Sequence, residues 1–184
     1  MSKAASQSIS TKDIALIGMF AAFLAVMSQI SLPMPSGVPV TIQVFAVALV
    51  GVLLGWKRGT LSVIIYILIG AVGAPVFANL RGGLEVIVGA TGGYILAWPV
   101  MTLLNGINIK GNKKKSFVIA IVLALAALAV DETFGGFWWA VMTKTDLRTI
   151  MIYSMTAFIP KDILITVLAV IIGRQIKKAA GQLL

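Results

Sequence analysis

Most of this chain is apolar segments with almost no charge inside them, and that pattern limits what it can fold into. Apolar runs of this length read as membrane helices, because lipid offers no partner to an unpaired backbone group. The hydrophobic fraction is 59% and the charged fraction 11%, about half the charge of an ordinary soluble domain. The mean hydropathy is +1.03. Six helices are predicted, over 13–31, 39–54, 60–74, 91–105, 116–142 and 150–173. They make an all-α integral membrane protein of one domain, 1–184, with an outward-facing, loop-capped ligand site.

Charge then orients the bundle. The net charge is +9, which in a soluble protein would suggest nucleic acid. Here the basic residues cluster at helix ends, as membrane orientation requires, so no nucleic acid is expected. Eleven of them fall on one side: Lys3, Lys12, Lys57, Arg58, Lys110, Lys113, Lys114, Lys115, Arg174, Lys177 and Lys178. Arg81, Lys144, Arg148 and Lys161 fall on the other. By the positive-inside rule both termini are expected in the cytoplasm of a multi-pass plasma-membrane protein. Residues Met1 to Thr11 read as a polar tail without a signal peptide's apolar run.

Two breaks interrupt the helices on the outward side. Leu32 to Val38 and Pro39 hold three prolines and no charge, which suits a connector folded back over the membrane surface. Ala74 to Tyr94 holds five glycines, a proline, Asn79, Arg81 and Glu85. That is too apolar for a water-exposed loop and too glycine-rich for a helix, so it is predicted to wall a cavity. Asn79 offers both a donor and an acceptor, and Arg81 offers a fork for a carboxylate. The glycines allow close backbone approach. Thr91-Gly92-Gly93 could aim backbone N–H groups at a negative group. Gly55 to Gly59 reads as a tight basic turn.

Ionisable residues inside membrane helices are functional candidates by default. Asp131 and Glu132 lie well inside the fifth helix, about 100° apart around it, so one is expected inward and the other elsewhere. Pro160, Lys161 and Asp162 lie within the sixth, where proline can bend the helix and free carbonyls. Gly18 with Ala22, and Ala21 with Ala25, are four apart on the first helix. Such small-residue pairs admit a close neighbour, either within this chain or on a separate membrane partner.

There is no cysteine and no histidine, hence no thiolate, no disulfide and no usual general base. No nucleophile, metal set or nucleotide motif accompanies the acids. The expectation is a transport protein, not an enzyme, with no cofactor. Energy for active transport would come from elsewhere.

Several of these pieces resemble the BioY family, the biotin-specific substrate-binding subunits (S components) of energy-coupling factor transporters. They are Val40-Thr41-Ile42-Gln43, Gly70 to Ala78, and Gly89-Ala90-Thr91-Gly92-Gly93-Tyr94, with Gly135 to Trp138 and Phe158 to Asp162 as weaker matches. The resemblance spans essentially the whole chain. It implies biotin bound near the outer surface, and a first-helix face docked to a transmembrane coupling subunit that bridges to two cytoplasmic ATPases. It further implies ureido contacts from Asn79, Asp162 and Asp131, and a carboxylate held by Lys161 and Arg81. Gly83, Gly89, Thr91, Gly92, Gly93 and Tyr94 would shape the pocket. One departure stands out. The family pattern reads Pro-Gly-Asp with a lysine three positions after the aspartate, whereas this chain has Lys161 at the glycine and Ile165 at the lysine. The rival expectations are an S component for another vitamin and a self-sufficient secondary transporter with the fifth-helix acids as its ion site.

Overall fold

The computed structural model describes residues 10–109 and 111–181. The polar tail with Lys3, and Lys110, lie outside the described residues. The chain runs through α1 (Thr11–Ser28), a short hairpin of β1 (Ser31–Leu32) and β2 (Val40–Thr41), and α2 (Gln43–Ala71). A 3-10 turn (Ala78–Leu80) and the single-turn α3 (Leu84–Ile87) come next, then α4 (Gly92–Asn105), α5 (Lys113–Thr143), α6 (Leu147–Ala157) and α7 (Ile159–Ala180).

Helix α1 begins with a capping box. The Ser10 hydroxyl accepts from the Asp13 N–H, and the Asp13 carboxylate accepts from the Ser10 N–H at 2.9 Å. Two orphan donors are thereby satisfied. Asp13 also pairs with Arg58 at 2.5 Å, tying the start of α1 to α2.

Helix α2 is two limbs, 43–54 and 56–71, folded back at Gly55 (φ 77°, ψ 173°). A straight helix would hold Gln43 and Tyr66 about 34 Å apart, yet the Gln43 amide donates to the Tyr66 hydroxyl at 3.1 Å. The reversal takes one residue and no loop. Residues 56–59, expected as turn, are helical; Gly55 is needed for its positive φ, and Gly59 for the close approach of the two limbs, where a Cβ would sit 3.1 Å from the Val50 carbonyl oxygen.

The two limbs form the centre of the bundle. They pack against α1, α4 and α7, while α4 also packs on α5, and α5 on α6 and α7. The main core holds Val47, Val50, Val63, Tyr66, Phe77, Trp98 and Met101, all buried. A smaller cluster gathers Tyr94, Trp139 and Phe158. Helices α1, α2 and α5 each contain an 18-residue stretch with mean hydropathy of 1.6 or more, and α6 and α7 together form a further apolar pair bent by 52°. The chain is therefore a multi-pass membrane protein.

The single sixth helix expected over 150–173 is thus two. The break falls at Phe158, and Pro160 lies in the first turn of α7. There its missing N–H costs nothing, so proline starts a helix instead of bending one. The expected second helix also begins later than residue 39, because Val40 and Thr41 pair with Leu32 and Ser31.

Helices α4 and α5 meet backbone to backbone. A Cβ on Gly93 would sit 3.0 Å from the Gly135 Cα, and a Cβ on Gly135 would enter the Tyr94 ring. By contrast, a Cβ on Gly18 meets nothing within 4 Å. Gly135→Ala is expected to cost about 1–3 kcal/mol, read as a lowered midpoint of thermal unfolding in detergent. Gly18→Ala is expected to leave that midpoint unchanged or raise it slightly, and an equal loss in both would refute the packing assignment.

Candidate functional site

A cavity of about 120 Å³ opens at the end of the bundle that holds the β1–β2 hairpin and the 74–91 segment. Building it requires holding non-helical backbone inside a membrane protein. The carbonyl of Val76 accepts from both Ser28 Oγ (2.6 Å) and the Tyr66 hydroxyl (3.0 Å). Gln29 clamps the next residues, donating from Nε2 to the Phe77 carbonyl (3.1 Å) and accepting at Oε1 from the Leu80 N–H (2.9 Å). The Phe77 N–H reaches the Arg81 carbonyl at 2.9 Å, and the Gly83 N–H reaches the Gly70 carbonyl at 2.7 Å. Asn79 and Leu80 both take left-handed backbone (φ 59° and 55°). Such conformations persist where the surroundings over-determine them, as this network does.

The hairpin forms the opposing wall through Pro33, Met34, Val38 and Thr41. It is held by Lys161, whose Nζ donates to the Thr41 carbonyl at 2.7 Å. Lys161 also pairs with the neighbouring Asp162. The proline-rich connector thus lies against the cavity, with Pro33, Met34, Gly37, Val38 and Pro39 in its wall.

The cavity is graded in polarity. At its buried side, Asp131 is 1% exposed and neither carboxylate oxygen has a hydrogen-bond partner. Trp98, 4% exposed, has an indole N–H that is likewise unpartnered. Both residues line the cavity. Leaving such groups unpaired costs about 1–3 kcal/mol each, more when charged. Toward the exposed side stand Arg81, which is exposed, and Lys161, whose side chain is 29% exposed. Asn79 is exposed too, and its Oδ1 accepts from Ser31 Oγ at 3.0 Å. Among the described residues no ion pair joins Arg81 to Glu85.

Glu132 also lines the cavity and is buried. The expectation that Asp131 and Glu132 face different places is therefore wrong. The cavity wraps far enough around α5 to include both, and the longer side chain reaches α6. Ser154 Oγ donates to Glu132 Oε2 at 2.6 Å, and the Tyr94 hydroxyl lies 3.4 Å from Ser154 Oγ. With the serine proton committed to Glu132, Tyr94 is the donor of that second contact. Thus α4, α6 and α5 are joined by one chain of hydrogen bonds beside the cavity.

Of the residues singled out from the sequence, Asn79, Arg81, Thr91, Tyr94, Asp131, Lys161 and Asp162 all line the cavity. Gly83, Gly89, Gly92 and Gly93 do not. A Cβ on Gly92 would strike the Ile87 carbonyl, and Gly93 packs on α5. The Gly89 carbonyl accepts from Trp138 Nε1 at 3.0 Å. Gly83 takes φ 97° ahead of α3. These glycines shape the scaffold and not the cavity surface. Sequence reasoning missed Trp98, Phe77 and Phe158 in the wall. Gln43, named from the sequence only within the Val40-Thr41-Ile42-Gln43 piece, both lines the cavity and holds Tyr66.

On α1, Gly18 and Ala22 are exposed, whereas Ala21 is buried and Ala25 packs against the core. The two small-residue pairs therefore face in different directions.

The BioY family model matches residues 1–182. A probable biotin transporter BioY of Pyrococcus horikoshii is 37% identical over 166 residues, covering 90% of this chain and 96% of the relative. A biotin transporter BioY of Thermotoga maritima is 37% identical over 161 residues, covering 88% and 93%. The crystal structure of an S-component for biotin from an ECF-type ABC transporter superposes with a TM-score of 0.79 at 25% identity, covering 93% of this chain and 95% of the other.

An unpaired carboxylate stabilises nothing until something donates to it. Asp131→Leu is expected to stabilise the ligand-free protein by roughly 1–3 kcal/mol. Thermal unfolding of stripped protein measures this, and a lower midpoint for the variant would contradict the orphan assignment.

Proposed function

The chain belongs to the BioY family, and from that premise we propose that it captures biotin as the S component of an energy-coupling factor transporter. The observation that carries the reading is the polarity gradient of the cavity. Its buried side presents an unpartnered acceptor, Asp131, and its exposed side presents two cations, Lys161 and Arg81. Biotin has the same polarity. Its ureido ring carries N–H donors, its acyl chain is apolar, and its carboxylate lies at the far end. Asp131 would accept from the ureido nitrogens, Asp162 would steady the Lys161 it is paired with beside the carboxylate, and Asn79 would offer its amide nitrogen at the mouth. Trp98, Phe77 and Phe158 would wall the thiophane ring and chain. Lys161 and Arg81 would take the carboxylate. Tyr94 and Thr91 complete the pocket, and Gly83, Gly89, Gly92 and Gly93 support it from behind.

Six crossings fit this reading: α1, the two limbs of α2, α4, α5 and the bent α6–α7 pair. The eleven-to-four division of basic residues favours cytoplasmic termini in the plasma membrane and a cavity open to the outside. ATP hydrolysis would reside in two partner ATPases reached through a transmembrane coupling subunit. Gly18 and Ala22, exposed on α1, suit that subunit's approach. Ala21 and Ala25 turn inward and support the same helix from the core side.

Lys161 is the sharpest test, because it occupies the position where the family pattern has glycine. Calorimetric titration of the purified chain with biotin is expected to give one site. Lys161→Ala is expected to weaken it by about tenfold or more, the value of one charge-assisted contact. Unchanged affinity in Lys161→Ala would remove the lysine from the carboxylate site. No heat of binding to the unaltered chain in detergent or lipid would overturn the biotin reading itself, and mass spectrometry of co-purified small molecules would then identify the ligand.

A further inference from the structure

A second cavity, of about 290 Å³, lies at the opposite end of the bundle. Its walls come from the end of α2's first limb, the end of α4 with residues 106–109, the start of α5 and the end of α7. Arg174, Lys177 and Lys178 line it, and among the described residues no carboxylate does.

These cations are only loosely engaged. Both terminal nitrogens of Arg174 reach Ser116 Oγ, at 3.4 and 3.3 Å, and the ring of Phe117 lies 5.8 Å below its guanidinium. Lys177 Nζ donates to the Val52 carbonyl at 3.2 Å. Cations at helix C-termini are ordinary charge matching, and for Lys177 and Lys178, both in the last turn of α7, that would suffice by itself. It does not explain an open cavity with three cations around it. Nor does it explain Asn105, which lines the same cavity with Oδ1 unpartnered while Nδ2 donates to the Met101 carbonyl at 2.9 Å. An occupant that satisfies the site must bring both an anion and a hydroxyl or other donor.

The neighbouring surface narrows the class. On the same two helices Phe117, Val118 and Val122 of α5 and Ile172 and Ile176 of α7 are exposed and apolar. We infer that this cavity holds the phosphate of an anionic phospholipid whose headgroup carries free hydroxyls, of the phosphatidylglycerol type. The phosphate sits between Arg174 and Lys177, a headgroup hydroxyl donates to Asn105, and the acyl chains lie along the apolar faces of α5 and α7. Basic pockets between membrane helices are suited to such headgroups. The inference is independent of what the first cavity binds.

Native mass spectrometry of the full chain in neutral detergent tests it, with short-chain phosphatidylglycerol, short-chain phosphatidylcholine, glycerol phosphate and inorganic phosphate as separate probes. Phosphatidylglycerol is expected to be retained about tenfold more than phosphatidylcholine. Arg174→Gln/Lys177→Gln should abolish that preference. Lys113→Gln/Lys114→Gln removes the same charge from exposed positions outside the cavity and should keep it. Size-exclusion profiles and circular dichroism confirm that both variants are folded. Glycerol phosphate or inorganic phosphate bound as well as the lipid would overturn the lipid assignment and give the site to a soluble anion. Equal retention of the two lipids, a preference surviving Arg174→Gln/Lys177→Gln, or its loss in both double variants would overturn the proposal.

Discussion

The structure depends on one constraint. Backbone polar groups removed from water must find partners within the protein. Helices meet this by themselves, but the segment from Ala74 to Thr91 cannot. Its carbonyls and N–H groups are paired by side chains from elsewhere: Ser28 and Gln29 at the end of α1, Tyr66 on the second limb of α2, and Trp138 on α5. Gln43 supports Tyr66 from the first limb. A polar cavity in an apolar bundle exists because neighbouring helices give up side-chain hydrogen bonds to hold one irregular strand of chain. The left-handed turn at Asn79 and Leu80 is held by the same clamp.

Electrostatics divides along the same lines. Acids are scarce, and three of them, Asp131, Glu132 and Asp162, converge on one cavity with a single lysine among them. Each is handled differently. Asp162 has Lys161, and Glu132 has Ser154. Asp131 has none, and it is the most buried of the three. A protein that satisfies the two flanking acids and leaves the central one open has concentrated its unmet hydrogen-bonding capacity at one point.

Much of this was legible in the sequence, for identifiable reasons. Charges and prolines in apolar runs are costly, so Asp131, Lys161, Asp162 and the 74–94 segment stood out by their position alone. Trp98 did not. A tryptophan in an apolar helix looks like packing, and only its unpartnered N–H in three dimensions sets it apart. The glycines misled for a related reason. Absence of a Cβ marks close approach without saying to what, and Gly93, expected in the pocket, meets Gly135 and Trp138 of α5 instead. Helical angle likewise assigns a face to Asp131 and another to Glu132, but says nothing of how wide the space between helices is. The break at Phe158 lay two residues ahead of the proline that signals it, because proline favours a first helical turn over an interior one.

The reversal at Gly55 has a consequence for how this chain tolerates change in length. Each residue added to a helix rotates the remainder of that helix by about 100°. With no loop between the two limbs of α2 to absorb an insertion or deletion, the error passes directly into the second limb. Tyr66, eleven residues on, would swing away from the Val76 carbonyl, and the clamp on the irregular segment would lose its centre. Length variation among relatives of this chain is therefore expected elsewhere, in connectors such as 106–112. The Gly55 corner acts as a register mark for the whole end of the bundle that carries the first cavity.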